Sequence, residues 1–214
     1  MLAVTFALPE ESREFVQLLR RREAPVTVFH TGVGEKACRA RIEPFLDTRP
    51  FDLLISSGFA GGADSSLGVG DLFLAENFSD PQLLARAQDL LVSRVGQLVT
   101  APHVIQSAGE RAQLMHETGA AAIDMETEWI AQACAKRKIP MLSLRVISDT
   151  AAAPLPLPPE VLFDLERQKT DPLRVASHLL RHPVHVPRLI RFARQIAAVR
   201  ATLGAAVYEL VASL

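Results

Sequence analysis

Short apolar runs alternate with segments of helical spacing through the first 150 residues of the chain. Residues 2–8, 26–31 and 141–147 are rich in aliphatic and β-branched side chains and have the length of buried strands. After the first of these runs, apolar side chains recur at the three- and four-residue intervals of a helix. Strands and helices that alternate in this way predict a three-layer α/β/α sandwich with a central mixed sheet.

Length and composition set the class of protein. With 214 residues and 49% hydrophobic content, the chain can bury one substantial core, and we expect a single domain over residues 1–214. A net charge of −1 gives no reason to expect nucleic acid as a partner. Residues 2–8 lack a basic leader and no apolar run reaches about 18 residues, so we expect neither a signal peptide nor a membrane span. Cys38 and Cys134 have no metal or redox spacing, which indicates reduced thiols in a cytoplasmic protein.

The charge is unevenly distributed along the chain. Residues 1–166 hold 15 Lys/Arg and 22 Asp/Glu, a net charge of −7, whereas residues 167–214 hold 8 and 2, a net charge of +6. Four prolines within residues 151–159 predict an irregular connection there. Beyond it we predict a basic helical tail over residues 171–214, in which helices over residues 171–181 and 187–199 are separated by a break at residues 182–183.

The second helix of this tail carries Arg188, Arg191 and Arg194 at three-residue intervals, with apolar residues between them. A basic amphipathic helix either packs its apolar side on the core or lies on an anionic membrane surface. The sequence leaves both alternatives open, so the predicted location is the cytoplasm, with or without peripheral contact to the inner membrane surface.

Two carboxylates follow a short apolar run at residues 120–123. Helical spacing begins at Thr127, so Asp124 and Glu126 lie at a strand-to-helix junction. Acidic side chains at the start of a helix face its positive end, which favours their ionised form. An ionised carboxylate accepts hydrogen bonds from two neighbouring hydroxyls, such as a ribose diol. The alternative is that Asp124 caps the helix and Glu126 is solvated.

Glu10 and Glu11 follow the first predicted strand directly. They therefore lie at the carboxyl end of a strand, which is the edge where ligands bind in open α/β sheets. The alternative is that both are ordinary glutamates of a first helical turn.

Glycine-rich loops follow the second and third predicted strands. Residues 32–37 satisfy the G-x-G-x-x-A dinucleotide pattern, but Asp52 precedes the next strand instead of ending it, which argues against that function. Gly32 and Gly34 still place N–H groups at a helix start, where they could bind phosphate or an ordered water. The glycines of residues 57–62 indicate either a backbone pressed against a flat ligand or a tight turn.

Four motifs, taken in order, resemble the purine nucleoside phosphorylase and nucleosidase family, which includes methylthioadenosine/S-adenosylhomocysteine nucleosidase. Together they span roughly residues 3–150. They are Thr31-Gly32-Val33-Gly34, the glycine loop of residues 57–62 with Gly70-Asp71, the acidic-Met-Glu signature Asp124-Met125-Glu126, and Arg145-Val146-Ile147-Ser148-Asp149.

The resemblance implies roles for individual residues. Asp149 donates a proton or hydrogen bond to the purine, Glu126 holds the ribose diol, Met125 packs on the sugar, and Glu11 orients or deprotonates the nucleophile. Arg145 is permanently cationic and either binds phosphate or holds a carboxylate in place. The remaining predicted contacts are Asp124, Gly58, Phe59, Ala60, His103, Val104 and Ser148 for the substrate, and Gly32 and Gly34 for phosphate or water.

The implied reaction is cleavage of the N-glycosidic bond of a purine nucleoside, with adenine as the base, by a cofactor-free enzyme that uses phosphate or water. Ser56 and Phe59 stand where phosphorylase members place an Arg and a Ser, which removes a phosphate ligand. The Pro-rich connection and the basic tail look most like hopanoid-associated phosphorylases, which act on adenosylhopane. The alternatives are a methylthioadenosine/S-adenosylhomocysteine-type nucleosidase and a non-catalytic nucleoside-binding protein.

The predicted partners follow from the same resemblance. They are a small purine nucleoside, lipid-linked in the hopanoid case, and further copies of the chain in a homo-oligomer. We predict no metal site, because the histidines at 178, 182 and 185 have no carboxylate or cysteine beside them and a proline interrupts their helix.

Overall fold

Within residues 1–20 and 26–213, which the computed structural model describes, eight strands form one sheet. The order is β2-β1-β3-β8-β4-β5, and β7 joins β6 to β3. Most pairs are parallel, whereas β4–β8 and β3–β7 are antiparallel, so the predicted mixed sheet is confirmed. The strands are β1 (Leu2–Phe6), β2 (Val26–His30), β3 (Leu53–Gly62), β4 (Leu72–Ala75), β5 (Arg94–Gly96), β6 (Leu98–Thr100), β7 (Ala122–Asp124) and β8 (Met141–Asp149).

Helices cover both faces of this sheet, as the alternating pattern predicted. They are α1 (Pro9–Leu19), α2 (Glu35–Leu46), α3 (Pro81–Leu90), α4 (Ala108–Thr118), α5 (Thr127–Arg137), α6 (Pro159–Leu162), α7 (Pro172–Arg181) and α8 (Val186–Ser213).

Two apolar cores lie on opposite faces of the sheet. Successive strand residues point to opposite faces, so Val4 joins α1, α3 and α8 in one core while Ala3 joins α2 and α5 in the other. The buried Cys38 and Cys134 are free thiols in the second core. This packing confirms the α/β/α sandwich.

Strands β3 and β8 lie side by side at the centre of the sheet and run parallel, with Leu54 opposite Met141 and Gly58 opposite Arg145. Both are buried on two faces, which explains their continuous apolar sequence. Because they are parallel, their carboxyl ends meet at one edge, where Gly61 lies opposite Asp149 after a shift in register.

Some predicted boundaries are wrong. By composition, residues 96–100 predict a single strand, but Gly96 ends β5 and residues 98–100 form β6, because β5 pairs with β4 and β6 pairs with β7. The helix α4 was not predicted, since its apolar positions are few and mostly exposed.

The tail has the predicted break at His182 and Pro183, but α8 continues to Ser213. Leu214 of the predicted tail lies outside the described residues. The stretch Pro183–Ser213 is long and apolar enough to cross a membrane by composition. Its second half nevertheless packs on α1, and a side chain at Gly204 would lie 2.9 Å from the backbone nitrogen of Phe15, so we interpret it as a core helix.

Candidate active site

A cavity of about 200 Å³ opens at the carboxyl ends of β3 and β8. It brings together most of the side chains that the sequence singled out. Its lining includes Glu11, Phe59, Ala60, His103, Val104, Asp124, Met125, Glu126, Ser148 and Asp149, and also the unpredicted Arg111 and Leu155. Gly58, Gly32, Gly34 and Arg145 lie behind this lining.

Glu11 lies in the first turn of α1 and is buried against the cavity, whereas Glu10 is exposed, so the structure decides between the two neighbours. Its Oε2 atom accepts hydrogen bonds from the backbone N–H groups of Ala7 at 3.0 Å and Leu8 at 3.4 Å. Burial outweighs these bonds and raises the pKa of Glu11 to about 7. A side chain at Gly58 would lie 3.3 Å from Oε2, so Gly58 makes room for this carboxyl.

Arg145 extends from β8 into a buried set of acceptors. Its Nε atom donates to Asp124 Oδ2 at 3.1 Å, and its two terminal nitrogens donate to Ser56, Thr127 and the Leu144 carbonyl. These bonds use all the donors of a guanidinium group. Arg145 therefore holds the Asp124 carboxylate in place in this structure, and its predicted binding of phosphate would require some of these bonds to break.

Asp124 ends β7 and caps the helix that follows, which is one of the two interpretations that the sequence offered. It caps α5, because its carboxylate accepts the backbone N–H of Thr127 at 3.1 Å and also the Thr127 hydroxyl. A second hydroxyl, from Thr100, reaches it at 2.9 Å. With Arg145 beside it, this carboxylate is fully engaged in orienting the start of α5, which carries Glu126 at its N-cap.

Replacing Arg145 with Met should lower the free energy of unfolding by about 3–5 kcal/mol, because Asp124 would be left buried without its cation. Chemical denaturation measures the loss. The matched control is Arg137→Met, which removes a partly exposed ion pair with Asp47 and should cost at most about 1 kcal/mol. Equal losses in the two variants would contradict a structural role for Arg145.

Glu126 is half-buried beside Asp124, and its Oε1 accepts the backbone N–H of Gly34 at 2.7 Å. Burial, followed by the negative charge of Asp124, raises the pKa of Glu126 to about 8. The sequence predicted an ionised Glu126 from its place at a helix start. Desolvation and the neighbouring like charge act against that effect of the helix dipole.

The glycine loop between β2 and α2 has no backbone N–H left for a ligand at residues 32–34. Gly32 donates to the Ala7 carbonyl at 2.9 Å, Val33 to Gln168 Oε1 at 2.7 Å, and Gly34 to Glu126. A phosphate or water bound by Gly32 and Gly34, as predicted, would have to replace two of these bonds. The loop instead positions Glu126.

Asp149 ends β8 and both of its carboxylate oxygens are engaged. Oδ1 accepts the Ser148 hydroxyl at 2.6 Å, and Oδ2 forms a buried ion pair with Arg111 Nη2. Arg111 also donates to the Gly62 carbonyl at 2.8 Å. A side chain at Gly61 would lie 3.0 Å from the Arg111 guanidinium, so this glycine of the loop admits an arginine.

The segment after β8 closes part of the cavity. Leu155, from the Pro-rich connection, lines it together with Phe59 and the exposed His103. Farther on, Gln168 exchanges two hydrogen bonds with Val33, at 2.7 and 2.9 Å. No sequence signal marked Leu155 or Gln168, because neither belongs to a periodic element.

Among the residues described, no group of three His, Cys, Asp or Glu side chains could hold a metal ion. The cavity is instead lined by carboxyl groups, with one arginine paired to one of them. A mixed sheet between two helical layers, with this acidic cavity at its carboxyl edge, defines an enzyme of the nucleoside phosphorylase fold class.

Comparisons with known proteins agree with this class. Residues 75–181, half of the chain, match the family model of the phosphorylase superfamily. The 5'-methylthioadenosine/S-adenosylhomocysteine nucleosidase of Staphylococcus epidermidis is 24% identical over 168 residues, which cover 64% of this chain and 73% of that relative. The chain belongs to the phosphorylase superfamily.

Solved structures share the whole fold at lower sequence identity. Native futalosine hydrolase of Helicobacter pylori matches with a TM-score of 0.73 and 15% identity, covering 100% of this chain and 97% of its own. The Helicobacter pylori 5'-methylthioadenosine/S-adenosylhomocysteine nucleosidase with butyl-thio-DADMe-Immucillin-A matches with a TM-score of 0.74 and 15% identity, covering 100% and 98%.

Proposed function

We propose that this enzyme, which cleaves the N-glycosidic bond of a nucleoside, acts on a purine nucleoside and releases adenine. The observation that carries the proposal is the meeting of Glu11, Glu126 and Asp149 in one cavity. Departure of the base leaves an electron-poor ribose, so the site must assist the leaving base, hold the sugar and supply a nucleophile. Three carboxyl groups on different elements match these three tasks.

Each carboxyl group takes the task that its surroundings favour. Asp149, held by Ser148 and Arg111, interacts with the purine, and Glu126 binds the ribose hydroxyls beside Met125. Glu11 removes a proton from the nucleophile. Its pKa of about 7 suits a general base at neutral pH, because such a group is ionised often enough to act and basic enough to accept the proton.

Water is the nucleophile that the site favours over phosphate. The Arg145 guanidinium and the N–H groups of Gly32 and Gly34 are all engaged in internal hydrogen bonds. Arg111 is the arginine of the described cavity lining, and its side chain is already paired with Asp149. A phosphate dianion would therefore find the guanidinium groups of Arg111 and Arg145 already paired with carboxylates.

The proposed substrate is an adenine nucleoside with a large apolar 5′ substituent, of which adenosylhopane is the leading candidate. Supporting it are the resemblance of the Pro-rich connection and tail to hopanoid-associated phosphorylases and the apolar Leu155 in the cavity. A cavity of about 200 Å³ is smaller than a typical site for a drug-sized ligand, so a large substituent would extend beyond it. The second candidate is a methylthioadenosine-type nucleoside, which the curated relatives favour.

Incubation with adenine nucleosides, with and without phosphate, tests the function. We expect adenine to be released at the same rate in both conditions. The mass of the sugar product should be that of the free ribose derivative and not that of its 1-phosphate. We also expect a higher kcat/KM for nucleosides with long alkyl 5′ groups than for methylthioadenosine. A strict phosphate requirement would contradict hydrolysis, and tight binding without adenine release would contradict the reaction itself.

A further inference from the structure

The outward face of α7 is apolar, which is the reverse of an ordinary surface helix. Leu173, Ala176 and Leu180 recur at helical spacing and are all exposed. The apolar surface continues through the turn into α8. The exposed fractions are 80% for Leu173, 85% for Leu180, 73% for Val184 and 51% for Ile190, and these four side chains define the outer surface.

The outer surface is surrounded by positive charge. Residues 172–200 contain six arginines and no Asp or Glu. Arg181, Arg188, Arg191 and Arg194 are exposed beside the apolar side chains. Apolar groups flanked by arginines are the composition with which a helix lies in a membrane interface, its apolar side below the headgroups and its cations among the phosphates.

The charge also argues against a second copy of the chain as the occupant. A twofold contact would place the same patch on both partners, so the arginines around one outer surface would face those of the other. Such like charges repel. An anionic bilayer offers both an apolar phase and the opposite charge.

Hydrogen bonds connect this surface to the cavity. In α8, Gln195 Nε2 donates to the backbone carbonyl of Ser148 at 3.1 Å, next to Asp149. Before α7, Gln168 holds the glycine loop through Val33. The surface is therefore part of the body that carries the cavity, and a docked enzyme keeps its cavity close to the lipid headgroups.

We propose that the outer surface docks on an anionic phospholipid bilayer, with Leu173, Leu180, Val184 and Ile190 inserted and the surrounding arginines on the headgroups. The sequence placed the apolar contribution on α8 alone, whereas the structure places most of it on α7 and the turn, with Ile190 at the start of α8. This inference rests on the proposed function in one respect: docking delivers a lipid-linked nucleoside to the cavity.

Sedimentation with liposomes tests the docking. We expect the whole chain to bind vesicles containing phosphatidylglycerol at low salt, at least tenfold more tightly than vesicles of pure phosphatidylcholine, and to be released by high salt. The double variant Leu173→Gln/Leu180→Gln and the triple variant Arg188→Gln/Arg191→Gln/Arg194→Gln should each weaken binding at least tenfold. The matched controls are Val92→Gln, since Val92 is 98% exposed on another part of the chain, and Arg13→Gln.

Several outcomes would overturn the proposal. They are failure of the wild type to bind anionic vesicles, equal loss in the control variants, and a stable dimer in lipid-free sedimentation that Leu173→Gln/Leu180→Gln dissociates. Adenine release from a small soluble nucleoside, measured without vesicles, should be unchanged in every variant. If that release fails in the wild type while vesicle binding persists, the proposed reaction is wrong and the docking surface stands.

Discussion

Asp149→Asn should lower the turnover number by about 10²–10⁴-fold, the usual loss when a group that transfers a proton is removed. An amide in this place can still form hydrogen bonds with Ser148 and with the purine, but it can neither take up a proton from solvent nor pass it to the leaving base. The Michaelis constant should change much less than the turnover number, because ground-state contacts survive. Single-turnover measurements of adenine release separate the two quantities.

The control for this prediction is a ribosyl compound whose leaving group departs without protonation. Asp149→Asn should slow its cleavage far less than that of an adenine nucleoside. If both substrates slow equally, Asp149 acts only by holding Arg111 and the end of β8 in place.

Glu11→Gln should also reduce the rate of adenine release by about 10²–10⁴-fold, since glutamine cannot deprotonate water. The wild-type enzyme should lose activity as the pH falls below about 7, because burial raises the pKa of Glu11 to about 7 and only the ionised form is a base. Well below that pH, kcat/KM should fall about tenfold per unit. A pH–rate profile of the wild type and of Glu11→Gln measures both the loss of rate and the acidic limb. The slow adenine release by the variant is followed over long incubations.

The neighbouring Glu10 supplies the matched control, because it has the same side chain on the same helical turn but is exposed. Glu10→Gln should leave the rate and the acidic limb of the profile unchanged. The base assignment is lost if Glu11→Gln retains that limb, or if Glu10→Gln removes as much activity.

The sequence was sufficient to predict the main strands of the sheet and the residues that directly follow them. The apolar runs that became β1 and β8 are buried on both faces, so their sequences are continuous and easy to recognise. Residues directly after such strands must lie at the sheet edge, and Glu11, Glu126 and Asp149 do lie together there. The positions of these side chains could therefore be predicted, whereas their roles stay proposals.

Contacts between distant segments could not be predicted. Arg111 lies in a helix with no clear apolar face, and only the packing of α4 against Gly61 and Gly62 shows that its side chain is buried on Asp149. The donors of Arg145 are taken by groups such as Ser56, which is 89 positions away in the chain. A motif shows which residue is present and does not show whether its hydrogen bonds are already used.

The pKa of Glu126 and the orientation of the apolar face of α7 also depend on packing that the sequence does not show. A helix start favours an ionised carboxylate. Desolvation and the charge of Asp124, which only the folded structure brings about, instead raise the pKa of Glu126. An amphipathic pattern likewise shows that one stripe of a helix is apolar, but it does not show whether that stripe faces the core. In α7 the stripe that contains Leu173 and Leu180 faces outward.

The packing of α8 on α1 has a consequence for the order in which the protein is made. Phe15 and the buried residues of α8, beginning at Val199, are about 180 positions apart, yet they share one core. At synthesis rates of about 5–20 residues per second, α1 would wait on the order of ten to forty seconds for this partner to leave the ribosome. Glu11 lies one turn from Phe15. We therefore expect Glu11, the proposed general base, to reach its packed position in the nascent chain only after α8 has emerged and packed on α1.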